Sequence, residues 1–169
     1  WADVTDLVGS SSGGDLTATA ELLGLAVGVL GERAADRNHG ATATSFGPGP
    51  ERLDGRLRVL DLSALWAGPL CAHLLGRAGA EVTKVESPDR RDGARLGDPQ
   101  LHHLLNASKQ NVLVDLRAPG GRDHLAALVG ISDLVVTASR RRALDSLGLV
   151  PEAWLERPDG PTVWVSITG

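Results

Sequence analysis

Beyond residue 56 the chain alternates short runs of valine and leucine with stretches of helical spacing, and this alternation limits its fold more than any other feature. Short apolar runs of this kind read as buried parallel strands, and parallel neighbours need a crossover that is nearly always a right-handed helix. Strands are expected at Arg58 to Leu62, Glu81 to Glu86, Asn111 to Leu116, Asp133 to Thr137 and Thr162 to Thr168. Helices are expected at Pro69 to Arg77, Gly120 to Val129 and Arg140 to Leu147, with shorter turns at Leu101 to Leu105 and Pro151 to Leu155. The implied class is α/β, an open parallel sheet with flanking helices.

Residues 1–56 follow a different pattern. Ser10-Ser11-Ser12-Gly13-Gly14 reads as a flexible stretch, and Asp15 as the cap of a helix over Leu16 to Arg33. From His39 to Gly55, Gly40, Gly47, Pro48, Gly49 and Pro50 give the composition of a linker. The expected organisation is therefore a helical segment and linker over 1–56 and an α/β domain over 57–169.

Charge and composition exclude several functions. A net charge of −4 and an aromatic content of 3% offer neither attraction to a phosphate backbone nor stacking platforms, so nucleic acid is not an expected partner. The apolar stretch Leu16 to Gly31 is broken by Glu21 and three glycines. It falls short of the roughly 20 residues that span a bilayer, so no membrane segment is expected. The single cysteine, Cys71, forms no internal disulfide and suits a reducing cytoplasm. No signal peptide is visible, and a chain with no methionine reads as a processed product or a piece of a longer protein.

In an open parallel sheet, ligands bind beyond the carboxyl ends of the strands. The first such loop is Ser63-Ala64-Leu65-Trp66-Ala67-Gly68-Pro69, with Gly68 allowing close approach and Pro69 suited to a helix start. Free amides at that start favour phosphate, and the other reading is that Ala67-Gly68-Pro69 merely turns a strand into a helix. The loop lacks both a dinucleotide fingerprint and a P-loop, which disfavours NAD and ATP. Adjacent His102 and His103 point about 100° apart on a helix, Cys71 and His73 are no better placed, and no metal site is expected. No serine, histidine and acid pattern marks a hydrolase.

Leu60-Asp61-Leu62-Ser63 through Ala67-Gly68-Pro69 resembles the opening strand and loop of the class III coenzyme A transferases. Gly79-Ala80-Glu81-Val82-Thr83-Lys84-Val85-Glu86-Ser87-Pro88 resembles the family's second strand. Asn106-Ala107-Ser108-Lys109, the strand at Asp133-Leu134-Val135-Val136, Leu147-Gly148-Leu149 and the strand from Val163 follow in the family's order. The resemblance covers about residues 57–169 and implies a Rossmann-like, coenzyme A-binding domain in a formyl-coenzyme A transferase, carnitine dehydratase or methylacyl-coenzyme A racemase type of enzyme. Residues 1–56 lie outside it.

The resemblance places coenzyme contacts at Ala64, Leu65 and Trp66, with Trp66 covering the adenine or the pantetheine arm. The other reading of Trp66 is a buried core or interface residue. Lys109 falls at the family's lysine and is either a phosphate contact or a solvated amine. Arg140, with Arg141 and Arg142, either holds a coenzyme phosphate or starts a basic surface helix. Thr137-Ala138-Ser139 replaces the family's usual glutamate-asparagine-phenylalanine, and Ser146 a common arginine. Asp61 is expected to order the loop by accepting amide hydrogen bonds, Asn106 to shape a turn, and Lys84 and Glu86 to serve structure at a loop edge.

In the family an aspartate attacks the acyl-coenzyme A thioester, forms a mixed anhydride and then an aspartyl thioester, and passes the coenzyme to an acceptor acid. That aspartate lies beyond the strand that Val163 begins, as do the histidine and aspartate of the racemases. No catalytic residue is therefore assigned, and the chain alone is expected to be inactive. The resemblance implies acyl-coenzyme A and a carboxylic acid as substrates, and either a homo-oligomer or the remainder of the same protein as partner. A noncatalytic coenzyme-binding module and a scaffold are the alternatives.

Overall fold

A computed structural model describes residues 5–6, 9–23, 44 and 55–167. The chain divides into two compact units between residues 44 and 45. In the first, α1 spans Gly13–Leu23. Ser12 rather than Asp15 caps it: Ser12 Oγ accepts from the Asp15 N–H at 3.1 Å and donates to the Asp15 carboxylate at 2.6 Å. The serine reaches the orphan amide of the first turn while the aspartate returns the bond, so the helix begins three residues earlier than expected. Gly13 and Gly14 thus belong to the helix, not to a flexible stretch. The remainder of the expected helix, to Arg33, and most of the expected linker lie outside the described residues.

The second unit is a five-stranded, wholly parallel sheet of order β3-β2-β1-β4-β5. The strands are β1 (Arg58–Leu62), β2 (Glu81–Glu86), β3 (Gln110–Leu113), β4 (Leu134–Thr137) and β5 (Val163–Ser166). Between them run α2 (Ala67–Arg77), a 3₁₀ turn (Gly93–Arg95), α3 (Pro99–Asn106), α4 (Gly121–Gly130), α5 (Arg141–Ser146) and α6 (Pro151–Leu155). All five expected strands form. Three, β3, β4 and β5, are shorter than expected: β3 ends at Leu113, after which Asp115 turns the chain by accepting from the Arg117 N–H at 2.9 Å. The expected turn at Leu101 to Leu105 is a full helix, because Asp98 accepts from the Gln100 and Leu101 amides and Pro99 fits the first helical position.

Side chains alternate across the sheet and build a core on each face. On one, Leu60, Val114, Leu125, Val129, Val135, Leu144, Leu149 and Trp154 are packed together. On the other, Val59, Ala72, Val82, Leu134 and Val136 meet α2. At the amino ends, Arg58 and Asp133 tie β1 to β4 through a backbone bond at 2.8 Å and a side-chain pair at 2.7 Å. Strand order reverses between β1 and β4, so the loops leaving these strands diverge and open a crevice at their carboxyl ends.

The entry to α4 is equally tight. A Cβ on Gly121 would lie 1.9 Å from the Asp115 carbonyl oxygen. Gly121→Ala is expected to destabilise the domain by roughly 2 kcal/mol or more through backbone displacement. The shift in the urea denaturation midpoint measures it, and an unchanged midpoint would contradict this packing.

Candidate functional site

The loop leaving β1 is shaped by charges buried beneath it. Asp61, wholly buried on the α2 face of β1, accepts from the Ser63 N–H at 3.0 Å and also from the Ser63 hydroxyl. Its other oxygen lies 2.7 Å from Lys109 Nζ and 3.9 Å from Lys84 Nζ. Lys109 enters from the loop before β3, and its ammonium also donates to the Pro69 carbonyl and to Asn106 Oδ1, each at 2.9 Å. Lys84, from β2, donates to the Ser63 carbonyl at 2.9 Å and pairs with Asp92 at 3.1 Å. Two ammonium groups and two carboxylates thus balance in the interior, as buried ions require.

Asp92 was not anticipated by sequence reasoning. It is 3% exposed, and its Oδ1 accepts from the Leu65 amide at 2.9 Å and the Ala94 amide at 3.0 Å. Burial pushes its carboxyl up, but those amides and the Lys84 ammonium hold it below its ordinary 3.8. Glu86 repeats the pattern: burial raises it, while the Arg95 guanidinium and the Asp92 amide bring it below 4.5. The Arg95 guanidinium meets both Glu86 oxygens, the closest contact being 2.8 Å. The signal for Asp92 is an aspartate ahead of a glycine-alanine pair, a local turn motif that says nothing of its contact 27 residues away.

Above this layer the loop is exposed. Leu65 is 60% and Trp66 66% exposed, and Ala64 is exposed beside them. Leu65 has φ +70°, and among the described residues no other non-glycine has a positive φ. That conformation costs a leucine roughly 1–2 kcal/mol, offset here by the bond to Asp92. Gly68 is required because a Cβ there would lie 2.2 Å from the Ser63 side chain. No side chain caps the first amides of α2.

Each expected site residue can now be placed. Ala64, Leu65 and Trp66 stand together at the crevice, and the reading of Trp66 as a buried core residue is corrected by its exposure. Lys109 is no solvated amine: it is 6% exposed, and its ammonium has three acceptors within 2.9 Å. Lys84 is wholly buried rather than at a loop edge, because carboxylates and a carbonyl surround its ammonium. Asn106 also bonds the His102 carbonyl at 2.9 Å. Arg140 is exposed on the other bank, just before α5, and Arg141 pairs with Asp145 and Glu152. His102 is buried and His103 exposed.

The model of CoA-transferase family III matches residues 53–169. The chain belongs to CoA-transferase family III. It is 30% identical over 126 residues to the succinate–glutarate CoA-transferase of Agrobacterium fabrum, covering 67% of this chain and 31% of that protein. It is 32% identical to human alpha-methylacyl-CoA racemase, covering 67% of this chain and 27% of the racemase. The crystal structure of a CAIB/BAIF family protein from Brucella suis superposes with a TM-score of 0.59 at 31% identity, over 67% of this chain and 32% of that one. The chain therefore spans about a third of the length of these relatives. Among the described residues, no helix is long and apolar enough to cross a membrane.

One buried group makes the layer sensitive to pH. His102 Nε2 is buried without a hydrogen-bond partner, and burial, helped by the nearby Arg95 charge, holds the imidazole below its ordinary 6.5. The unfolded chain takes up a proton below that value while the folded one does not, so stability falls as pH drops through 6.5. The melting temperature is expected to decline from pH 7 to pH 5, and His102→Gln to flatten that decline. An equal decline in both proteins would contradict the assignment.

Proposed function

We propose that this chain supplies the coenzyme A-binding part of a coenzyme A transferase that moves the coenzyme from an acyl-coenzyme A to a carboxylic acid. The observation that carries the reading is the β1 loop: its backbone is gripped from below, and Ala64, Leu65 and Trp66 are exposed at the point where strand order reverses. In this reading these three residues contact the coenzyme, with Trp66 offering a flat face to the adenine or the pantetheine arm. Arg140 supplies charge for a phosphate from the opposite bank. Lys109 acts from beneath, since its donors are already engaged, and its part is to hold the loop through Asp61 and Pro69. A clamped loop loses little freedom on binding, which favours affinity.

No aspartate of residues 1–169 is assigned the nucleophile, and in this reading the covalent step falls to other residues of the functional protein. The exposed apolar side chain of Leu74, on α2, suits burial against those other residues. A cytoplasmic location accords with the lone cysteine, half-buried on α2. Racemisation of an acyl-coenzyme A is the second reading, because identity to the human racemase matches that to the transferase at 32% against 30%. Both reactions use the same coenzyme.

Isothermal titration with coenzyme A and, separately, with NAD tests the proposal. Coenzyme A is expected to bind and NAD not to, with Trp66→Ala weakening binding about tenfold, the loss of one aromatic contact. Binding of NAD alone, or of neither, would overturn it.

A further inference from the structure

We infer that Asp92 is a positioning residue: its carboxylate, backed by Lys84, holds Leu65 in the left-handed conformation and so fixes the direction in which Leu65 and Trp66 face the coenzyme. The inference rests on the reading of the β1 loop as the coenzyme site.

The geometry isolates Asp92 from its neighbours. A leucine with an exposed side chain has little packing of its own to keep it at φ +70°. What does reach it is one carboxylate oxygen from 27 residues away, at 2.9 Å from its amide. The second oxygen lies 3.1 Å from Lys84 Nζ, and the same ammonium donates to the Ser63 carbonyl at 2.9 Å. One buried ion pair therefore holds the loop on both sides of Ala64. The loop that carries Asp92 also lies close, since a Cβ on Gly93 would be 3.3 Å from Leu65 Cδ2.

Capping the 3₁₀ turn does not account for this arrangement. A cap needs only the bond from the Ala94 amide, which a serine can also accept. It needs neither a bond to Leu65 nor a buried lysine. Glu86 and Arg95 steady the carboxylate in turn, Glu86 Oε2 accepting from the Asp92 amide at 3.4 Å.

Asp92→Asn and Asp92→Ser separate the roles. Asparagine keeps an oxygen for both amides but loses the charge opposite Lys84, whereas serine caps Ala94 but is too short to reach Leu65 or Lys84. Amide hydrogen exchange by NMR and titration with coenzyme A are the readouts, on the full chain. Leu65 exchange is expected to be slow in wild type and to rise less in Asp92→Asn, which keeps the bond to the Leu65 amide, than in Asp92→Ser, which loses it. In Asp92→Ser, Leu65 exchange and the dissociation constant are each expected to rise about tenfold or more, while Ala94 stays protected. Val129→Ala, which loosens the opposite core, serves as the control, lowering the melting temperature without changing affinity. If Asp92→Ser does not fold, the double variant Lys84→Met/Asp92→Ser, which leaves no unpaired buried ammonium, is compared with Lys84→Met alone, since both lack the bond to the Ser63 carbonyl. Unchanged Leu65 exchange or unchanged affinity in the serine variant would overturn the inference. Absence of coenzyme A binding in wild type would overturn the underlying reading and the coenzyme half of the inference, and the exchange rates would still decide whether Asp92 holds Leu65.

Discussion

The Asp61 carboxylate, without solvent exposure, lies 2.7 Å from the Lys109 ammonium and 3.9 Å from that of Lys84. Each of these ions would be costly to bury alone, and removing one partner of such a group typically costs about 3–5 kcal/mol because the survivor is left uncompensated. Here β1, β2 and the loop before β3 each contribute one charge, so the cluster forms only when the sheet has its observed order. The loop after β1 and the first turn of α2 then take their shape from it, through Ser63, Leu65 and Pro69.

This arrangement separates rigidity from recognition. Polar and charged groups stay below the loop, where they fix backbone atoms, and the exposed layer above consists of Ala64, Leu65 and Trp66 beside uncapped helix amides. Such a surface suits a ligand with a flat ring, a flexible thiol arm and phosphates. In the proposed function that ligand is coenzyme A, in keeping with membership of CoA-transferase family III.

Much of the fold was legible because it rests on periodicity. Apolar runs marked all five strands, and Pro69 and Pro151 marked helix starts at or near their observed places. The role of Asp61 was legible too, since an aspartate two residues before a loop amide has few other uses. Lys109 and Lys84 were placed too near the solvent, because sequence gives a lysine's charge but not the partners that would let it be buried. Asp92 was missed for a related reason: its bonds to Leu65 and Lys84 are long-range, and nothing in its own neighbourhood encodes them. Ser12 displaced Asp15 as a helix cap because both are good caps three residues apart, and only geometry decides which one lies outside the helix.

A double-mutant cycle on Asp61 and Lys109, using Asp61→Leu and Lys109→Met, tests the central claim most directly. Denaturant unfolding of the four proteins should give a coupling energy of about 2 kcal/mol or more, with the double variant more stable than either single one. Additive losses would mean that the pair does not act as a unit, and that the loop after β1 takes its shape from something other than the charges beneath it.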